Sequence, residues 1–311
     1  MGTDSLNGKL YGYAIPGRYG LGHSMLAWAR CFLWCRASKA EMLAPDWQYF
    51  RLGPYLRREM DKRSYHKLFR KDVYTSGLKR LWLLATAKRF PDGQQLQANA
   101  EGGNRIIVFE NDTHSNARFF RSLYGQHEKV REELLRISRP EHIRVTNIHG
   151  PFIGIHVRIG DFTRVSDPSA FRGNILLPVE WYRDILLSIR RQTGRALHAR
   201  VFSDGNEEEL QPLLQLPNVS LVTAHSALRD MLFLSQATAL ISSSSGFSMW
   251  AAYLGQVPRI CFTNQRLERV VASLGTADLE PECGKGEDVP LDFVANIISA
   301  LHRLEETKVV I

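Results

Sequence analysis

Hydrophobic and polar positions along the first half of the chain predict strands and helices in turn. Short apolar runs predict strands at 10–15, 40–44 and 105–109, and apolar residues at helical spacing predict helices at 23–38 and 116–137. Residues 90–103 lack either pattern and are expected to form a surface loop. Prolines bracket a strand-like run at 143–148, so a domain boundary is predicted near 138–151.

The second half repeats the alternation more regularly. Predicted strands lie at 152–157, 199–202, 219–222, 240–241 and 259–262, and predicted helices at 179–191, 206–214, 228–237, 247–254, 265–274 and 291–304. Apolar strands that alternate with helices are typical of parallel sheets covered on both faces. We therefore expect an α/β protein of two Rossmann-like domains, 1–148 and 149–311, with parallel sheets that face each other across a cleft.

Composition narrows the class of protein. The chain has 311 residues, of which 44% are hydrophobic and 23% charged, which excludes disordered, collagen-like and coiled-coil proteins. The longest uncharged stretch, 231–258, contains a run of serines that divides it into parts too short to cross a bilayer. The N-terminus lacks a signal-peptide pattern, and four cysteines without nearby histidines favour free thiols over a zinc site. These features predict a cytoplasmic protein.

Positive charge is concentrated in one segment. The formal net charge is +8, and residues 51–89 contain 12 basic and 3 acidic residues with aromatic residues between them. Such a segment can contact nucleic acid, an anionic membrane or a phosphorylated substrate, or it can be an ordinary solvated helical face. The charge pattern alone leaves these alternatives open.

Polar residues that suit ligand binding follow two of the predicted strands. Ligands of open parallel sheets bind at the carboxyl ends of the strands. The strand at 152–157 runs into Arg158 and Asp161, where a guanidinium suits bidentate capture of phosphate, although the two residues can equally form a structural ion pair. Asp204 follows the strand at 199–202, where it suits a ribose hydroxyl or base amino group, or the start of the next helix.

Two turns add further candidates. The hydroxyl-rich turn at 242–248 opens a helix, and amides with hydroxyls at a helix start bind anions without a lysine or a metal. In the turn at 19–24, Gly20 and Gly22 permit close approach of a substrate, and His23 is a candidate acid or base. The sequence has no P-loop, no dinucleotide fingerprint and no Asp-x-Asp pair, so no metal is expected.

Several motifs, in order, resemble those of the α-1,2-fucosyltransferases, glycosyltransferase family 11. The segment His156-Val157-Arg158-Ile159-Gly160-Asp161 resembles the family's HxRRGD, and Val201-Phe202-Ser203-Asp204 resembles its (F/I)SDD. The segment 243–252 resembles SxSTFSWWAA, and the segment 19–25 resembles the N-terminal GGLGNQMF. The similarity therefore touches both halves of the chain.

The resemblance implies a GT-B fold and an inverting, metal-independent transfer of fucose from GDP-fucose to a glycan hydroxyl, as in bacterial surface polysaccharide synthesis. It implies a donor-binding role for His156, Arg158, Asp204, Ser243, Ser244, Ser245, Gly246, Phe247 and Ser248. Arg158 is expected to hold the GDP diphosphate and to act in catalysis. Asp161 and His23 are the candidate bases, and Gly20, Gly22 and His23 form the expected acceptor-side loop.

The chain also departs from the family pattern. Ile159 replaces the second arginine of HxRR, Gly205 the second aspartate of SDD, Gly246 a threonine, Met249 a tryptophan and His23 an asparagine. Another GDP-sugar or another acceptor on the same scaffold is therefore an alternative, and a basic nucleic-acid or glycan-binding protein without catalysis is a second. For the transferase we expect no cofactor beyond the GDP-sugar, a free or lipid-linked glycan acceptor, no nucleic acid, and contact of 51–89 with the anionic inner face of the bacterial membrane.

Overall fold

Two parallel sheets organise the computed structural model, which describes residues 8–17, 19–47, 65–94, 103–111, 120–144, 150–223, 226–272 and 278–309. Each sheet belongs to one of two compact units, Met1–Glu141 and His142–Ile311. The domain boundary predicted at 148/149 falls within 145–149, outside the described residues.

The N-terminal unit contains a four-stranded sheet. Its described elements are β1 (Leu10–Ile15), α1 (Leu21–Ser38), β2 (Glu41–Leu43), α2 (Gly77–Thr86), β3 (Lys88–Pro91), β4 (Arg105–Glu110), a 3-10 turn (Arg121–Leu123), α3 (His127–Ile137) and α4 (Pro140–Ile143). The strand order is β2-β1-β4-β3, and every pair is parallel. All carboxyl ends therefore lie at one edge of this sheet.

The C-terminal unit contains a five-stranded sheet with β5 at its centre. Its described elements are β5 (Phe152–Val157), a 3-10 turn (Pro168–Ala170), α5 (Val179–Thr193), β6 (His198–Ser203), α6 (Gln211–Leu214), β7 (Val219–Leu221), α7 (Ala227–Leu234), β8 (Ala239–Ser242), α8 (Gly246–Gly255), β9 (Arg259–Cys261) and α9 (Leu291–Val309). The order β7-β6-β5-β8-β9 is parallel throughout. Every residue of β5 is buried, as expected for a central strand covered on both faces.

The prediction of an α/β fold with a parallel sheet in each half is confirmed. All four cysteines are buried free thiols. Among the described helices, none combines the length and the apolar character needed to cross a membrane.

Several predicted boundaries are wrong. The loop predicted at 90–103 begins with an edge strand, because the backbone of β3 pairs with β4 although most of its side chains are exposed. The helix predicted at 116–137 is helical from His127 after a separate 3-10 turn, and its residues 116–119 lie outside the described residues. The strand predicted at 143–148 begins instead with the end of α4, and 145–149 are again outside the described residues.

Two predicted helices of the second half are also shorter or missing. In the segment 206–214 only α6 is a regular helix, preceded by a turn in which Asn206 and Glu209 exchange hydrogen bonds between side chain and backbone. The segment 265–274 has no helix over its described residues, 265–272, because several of its backbone N–H groups bond to distant side chains.

Candidate functional site

Three separate segments of the second half meet at the carboxyl edge of the five-stranded sheet. Arg158 follows β5, Asp204 follows β6, and the serine-rich turn follows β8. These strands are neighbours, because His156 of β5 pairs with Phe202 of β6 on one side and with Ser242 of β8 on the other. The structure thus places the residues predicted from the second half of the sequence at the edge where ligands of parallel sheets bind.

The guanidinium of Arg158 is held by two carboxylates. Its Nε and Nη2 donate to Asp161 Oδ1 at 3.1 and 2.8 Å, and its Nη1 lies 2.9 Å from Asp204 Oδ2. Asp204 also accepts from the backbone N–H groups of Ile159 at 2.8 Å and Gly160 at 3.1 Å. The ion pair that the sequence left as an alternative is therefore present, and Asp204 fixes the turn after β5. The pairing sets the direction of the guanidinium at the sheet edge.

Gly160 is required by the position of Asp204. A Cβ atom at residue 160 would lie 2.6 Å from Asp204 Oδ2, closer than side chains approach one another. Because Asp204 is held by three donors, its carboxylate cannot move aside without loss of hydrogen bonds. The glycine of the HVRIGD segment thus serves the contact between β5 and β6.

Two departures from the family pattern are neighbours in space. A Cβ atom at Gly205 would lie 2.4 Å from Cδ1 of Ile159, so the isoleucine side chain occupies the space beside the glycine. The family motif has a charged residue at both positions. Here the chain replaces both together, which leaves an apolar contact beside Arg158.

His156 connects β5 to the serine-rich turn. The residue is buried, its Nδ1 is 2.8 Å from Ser243 Oγ, and its ring stacks on Phe247 with centroids 4.9 Å apart. Burial, with a smaller contribution from the charge of Arg158, lowers the pKa of His156 to about 3. The imidazole is therefore neutral at neutral pH and positions the turn rather than carrying charge.

The serines of the turn have different roles. Ser242 and Ser248 hydroxyls lie 2.9 Å apart, Ser243 bonds to His156, and Ser245 caps α8 by accepting from the Phe247 N–H at 3.2 Å. Ser244 is only 4% exposed, and its hydroxyl has no hydrogen-bond partner among the described residues. A buried hydroxyl without a partner is costly, so Ser244 is the serine most suited to contact a ligand.

The residues predicted from the first half lie in the N-terminal unit. Gly20 is the N-cap residue of α1, and His23 lies in the first turn of that helix, with its carbonyl accepting from Asn111 Nδ2 at 2.6 Å. Burial, and then the charge of Arg30, lowers the pKa of His23. Its imidazole is therefore neutral at neutral pH, and its Nε2 is shielded from solvent. The structure groups Gly20, Gly22 and His23 in one turn, in a different unit from Arg158.

The sequence did not predict a cavity of about 600 Å³ in the N-terminal unit. It opens at the carboxyl ends of β1, β3 and β4, and its lining includes Tyr13, Phe90, Asp92, Glu110 and Asn111. The ends of the predicted strands at 10–15 and 105–109 were a usable signal for this edge. Phe90 and Asp92 gave none, because they lay in a predicted loop.

A second cavity of about 610 Å³ lies in the same unit, between α1, the end of β3 and α3. None of the site residues predicted from the sequence lines either cavity. No group of three or more His, Cys, Asp or Glu side chains in the described part of the chain is arranged to hold a metal ion. Metal independence itself stays a prediction.

An arginine, a buried hydroxyl and a helix N-terminus at one edge of a parallel sheet are typical of α/β enzymes that bind phosphate-bearing ligands. The family model for glycosyl transferase family 11 matches residues 111–269, just over half of the chain. The chain therefore belongs to glycosyl transferase family 11 and is a glycosyltransferase.

Similar solved structures are also transferases. They include POFUT1 in complex with GDP (10% identity, 81% of this chain and 98% of that chain covered, TM-score 0.46). They also include the E. coli heptosyltransferase WaaC with ADP (13%, 96% and 99%, 0.42) and the alpha-1,6-fucosyltransferase NodZ soaked with GDP-fucose (17%, 83% and 97%, 0.41). A comparison with curated protein sequences finds no significant match.

Proposed function

We propose that this glycosyltransferase transfers fucose from GDP-fucose to a hydroxyl of a glycan acceptor, in the manner of an α-1,2-fucosyltransferase, during synthesis of a bacterial surface polysaccharide. The observation that carries the proposal is the position of Arg158 beside the Ser243–Ser245 turn at one sheet edge, in a chain of family 11. A diphosphate finds complementary groups in the Arg158 guanidinium, the N-terminus of α8 and the hydroxyl of Ser244. We infer that they do so without a metal.

The reaction breaks the bond between the anomeric carbon of fucose and a β-phosphate oxygen. Negative charge develops on the departing GDP, and Arg158 with the N–H groups of α8 stabilises that charge. An acceptor hydroxyl attacks from the opposite face of the sugar, forms the new glycosidic bond with inversion and loses its proton.

Asp161 and His23 are the proposed bases for that proton. Asp161 Oδ1 accepts two hydrogen bonds from Arg158, so this residue also positions the guanidinium. His23 has a lowered pKa and is neutral at neutral pH, which is the form that accepts a proton. Its Nε2 is shielded from solvent, so the side chain must reorient before it meets a substrate.

The cavity at the edge of the N-terminal sheet is the proposed acceptor site. The rings of Tyr13 and Phe90 suit the apolar face of a sugar, and the carboxylates of Asp92 and Glu110 suit its hydroxyls. A lipid-linked acceptor at the cytoplasmic face of the membrane fits the basic segment 51–89 of the sequence.

A donor screen tests the proposed function. GDP-fucose, GDP-mannose and a UDP-sugar are incubated with a panel of glycan acceptors, and products are identified by mass spectrometry and their linkage by NMR. We expect transfer from GDP-fucose, and a loss of about 100-fold or more in Arg158→Ala. Arg183→Ala, an arginine on α5 that pairs locally with Asp184, is the matched control. Transfer from the UDP-sugar alone, or unchanged activity in Arg158→Ala, contradicts the proposal.

Another GDP-sugar is the second candidate donor. The apolar contact between Ile159 and Gly205 replaces two charged residues of the family motif beside Arg158, and this difference favours a changed donor sugar. Transfer from GDP-mannose in preference to GDP-fucose would support this candidate. The alternative of a binding protein without catalysis is set aside by the family assignment.

A further inference from the structure

Helix α2 has apolar side chains on two opposite faces. Leu83 is fully buried and Leu84 packs beside it against the core of the N-terminal unit. On the outer face, Leu78 is 85% exposed, Leu81 58% and Trp82 57%. The spacing of these three residues, i, i+3 and i+4, places them in one stripe, where a surface helix normally has polar residues.

The stripe contains a large share of the exposed apolar side chains. Three of the eight large hydrophobic residues exposed in the described part of the chain belong to it. Isolated exposed leucines are common on protein surfaces, but a contiguous stripe that includes tryptophan indicates an interaction surface.

The chain segment that contains the stripe is rich in basic residues. The described residues 65–89 include seven lysines and arginines and one acidic residue, Asp72. Arg70 pairs with Asp72, Lys79 with Glu41 and Arg80 with Asp46. Lys71 and Arg89 have no carboxylate partner among the described residues. Leucine and tryptophan between cations match the boundary between lipid headgroups and acyl chains, where tryptophan prefers to lie and cations meet anionic lipids.

We propose that α2 docks on an anionic lipid bilayer and inserts Leu78, Leu81 and Trp82 into the headgroup region. A second copy of the chain fits the stripe less well, for two reasons. A stable dimer buries about 800 Å² per partner, and two copies paired through α2 would bring two basic segments together. The sequence predicted a charge-driven contact of 51–89, whereas the structure assigns an apolar anchor within that segment.

The position of α2 connects this surface to the proposed acceptor cavity. Arg80, on the same helix, donates to the hydroxyl of Tyr13 at 3.0 Å, and Tyr13 lines the cavity of about 600 Å³. Docking of α2 would therefore hold that cavity near lipid-linked acceptors, a consequence that rests on the proposed function. The docking itself rests only on the exposed stripe and its charges.

Vesicle binding without donor or acceptor tests the docking, so its failure and a failure of sugar transfer are separate results. Vesicles of phosphatidylcholine with phosphatidylglycerol are sedimented with the wild type and with Leu78→Asn/Leu81→Asn, which keeps the charge. We expect the double variant to bind on the order of 10-fold or more weakly. Leu291→Asn, which changes a leucine 77% exposed in the other unit, is the matched control and is expected to bind as the wild type. Unchanged thermal unfolding establishes that the variants are folded.

Tryptophan fluorescence adds a position-specific readout. Vesicles should shift the wild-type emission to the blue, and Trp82→Phe should reduce the shift while binding persists, because phenylalanine also inserts. If the wild type and the double leucine variant bound vesicles equally and high salt abolished the binding, charge alone would explain it and the proposal would be overturned. A wild-type dimer that the double variant converts to monomer, with no binding to vesicles, would also overturn it.

Discussion

Arg158 and Asp204 come from different strands, and their contact shows what a local sequence pattern reveals about the site and what it leaves out. The pattern predicted an arginine at the end of β5 and left its ion pair with Asp161 as an alternative, since both residues lie within one turn. It gave no sign that Asp204 accepts from the Ile159 and Gly160 amides, because that contact spans more than 40 positions. A residue predicted to meet the ligand thus has a structural role as well.

His156 gives a prediction for stability against pH. Its folded-state pKa of about 3 lies below the ordinary value of 6.5, so protonation favours the unfolded chain. At pH 7 both states are neutral and the group has no effect. As the pH falls from 6.5 to 3, protonation of this histidine in the unfolded chain should lower the free energy of unfolding by about 1.4 kcal/mol per pH unit.

The measurement is urea unfolding of wild type and His156→Gln between pH 7 and pH 4. The glutamine can keep a hydrogen bond to Ser243, and other titrating groups are common to both proteins. We expect the wild type to lose more stability than the variant as the pH falls. Parallel stability curves would contradict the assignment of a buried, neutral histidine.

At the scale of elements, two neighbouring serines at the start of α8 have different assigned roles. Ser245 caps the helix, and Ser244 is proposed to contact the ligand. Ser245→Ala removes the N-cap and should cost about 1 kcal/mol of stability. Ser244→Ala removes a buried hydroxyl without a partner, so stability should be unchanged or higher, while GDP affinity falls by about 3- to 10-fold. Thermal unfolding and GDP titration of both variants check this. If Ser244→Ala were the more destabilising variant and bound GDP normally, the assigned roles would be reversed.

The elements that the sequence predicted best are those with strong local patterns. β5 is apolar except for His156, α5 has clear helical spacing, and α8 is a longer, largely apolar segment, so their existence and type were predicted correctly. The segment 265–272 has helical composition, but buried Glu280 accepts from the Val270 and Val271 amides and pairs with Arg259. These partners lie outside any local window and override the helical preference. β3 was missed because an exposed edge strand needs no apolar alternation.

At the scale of the whole molecule, the proposed donor site lies in one unit, and the proposed acceptor site and membrane contact lie in the other. The C-terminal unit contains the arginine and serine turn proposed for the donor, and the N-terminal unit contains the cavity proposed for the acceptor and the apolar stripe proposed for the membrane. The count of charges identified 51–89 as a basic segment. The sequence did not show which leucines in it are exposed and which are buried. Only the fold shows which face of α2 is covered.

Calorimetric titration of GDP tests the central claim, that Arg158 and the start of α8 hold a nucleoside diphosphate without a metal. Wild type and Arg183→Ala should bind GDP equally well with and without EDTA. Arg158→Ala should bind about 100-fold more weakly, because a charged hydrogen-bond donor to phosphate is lost. Binding that disappears with EDTA, or an Arg158→Ala variant that binds as the wild type does, would contradict the account.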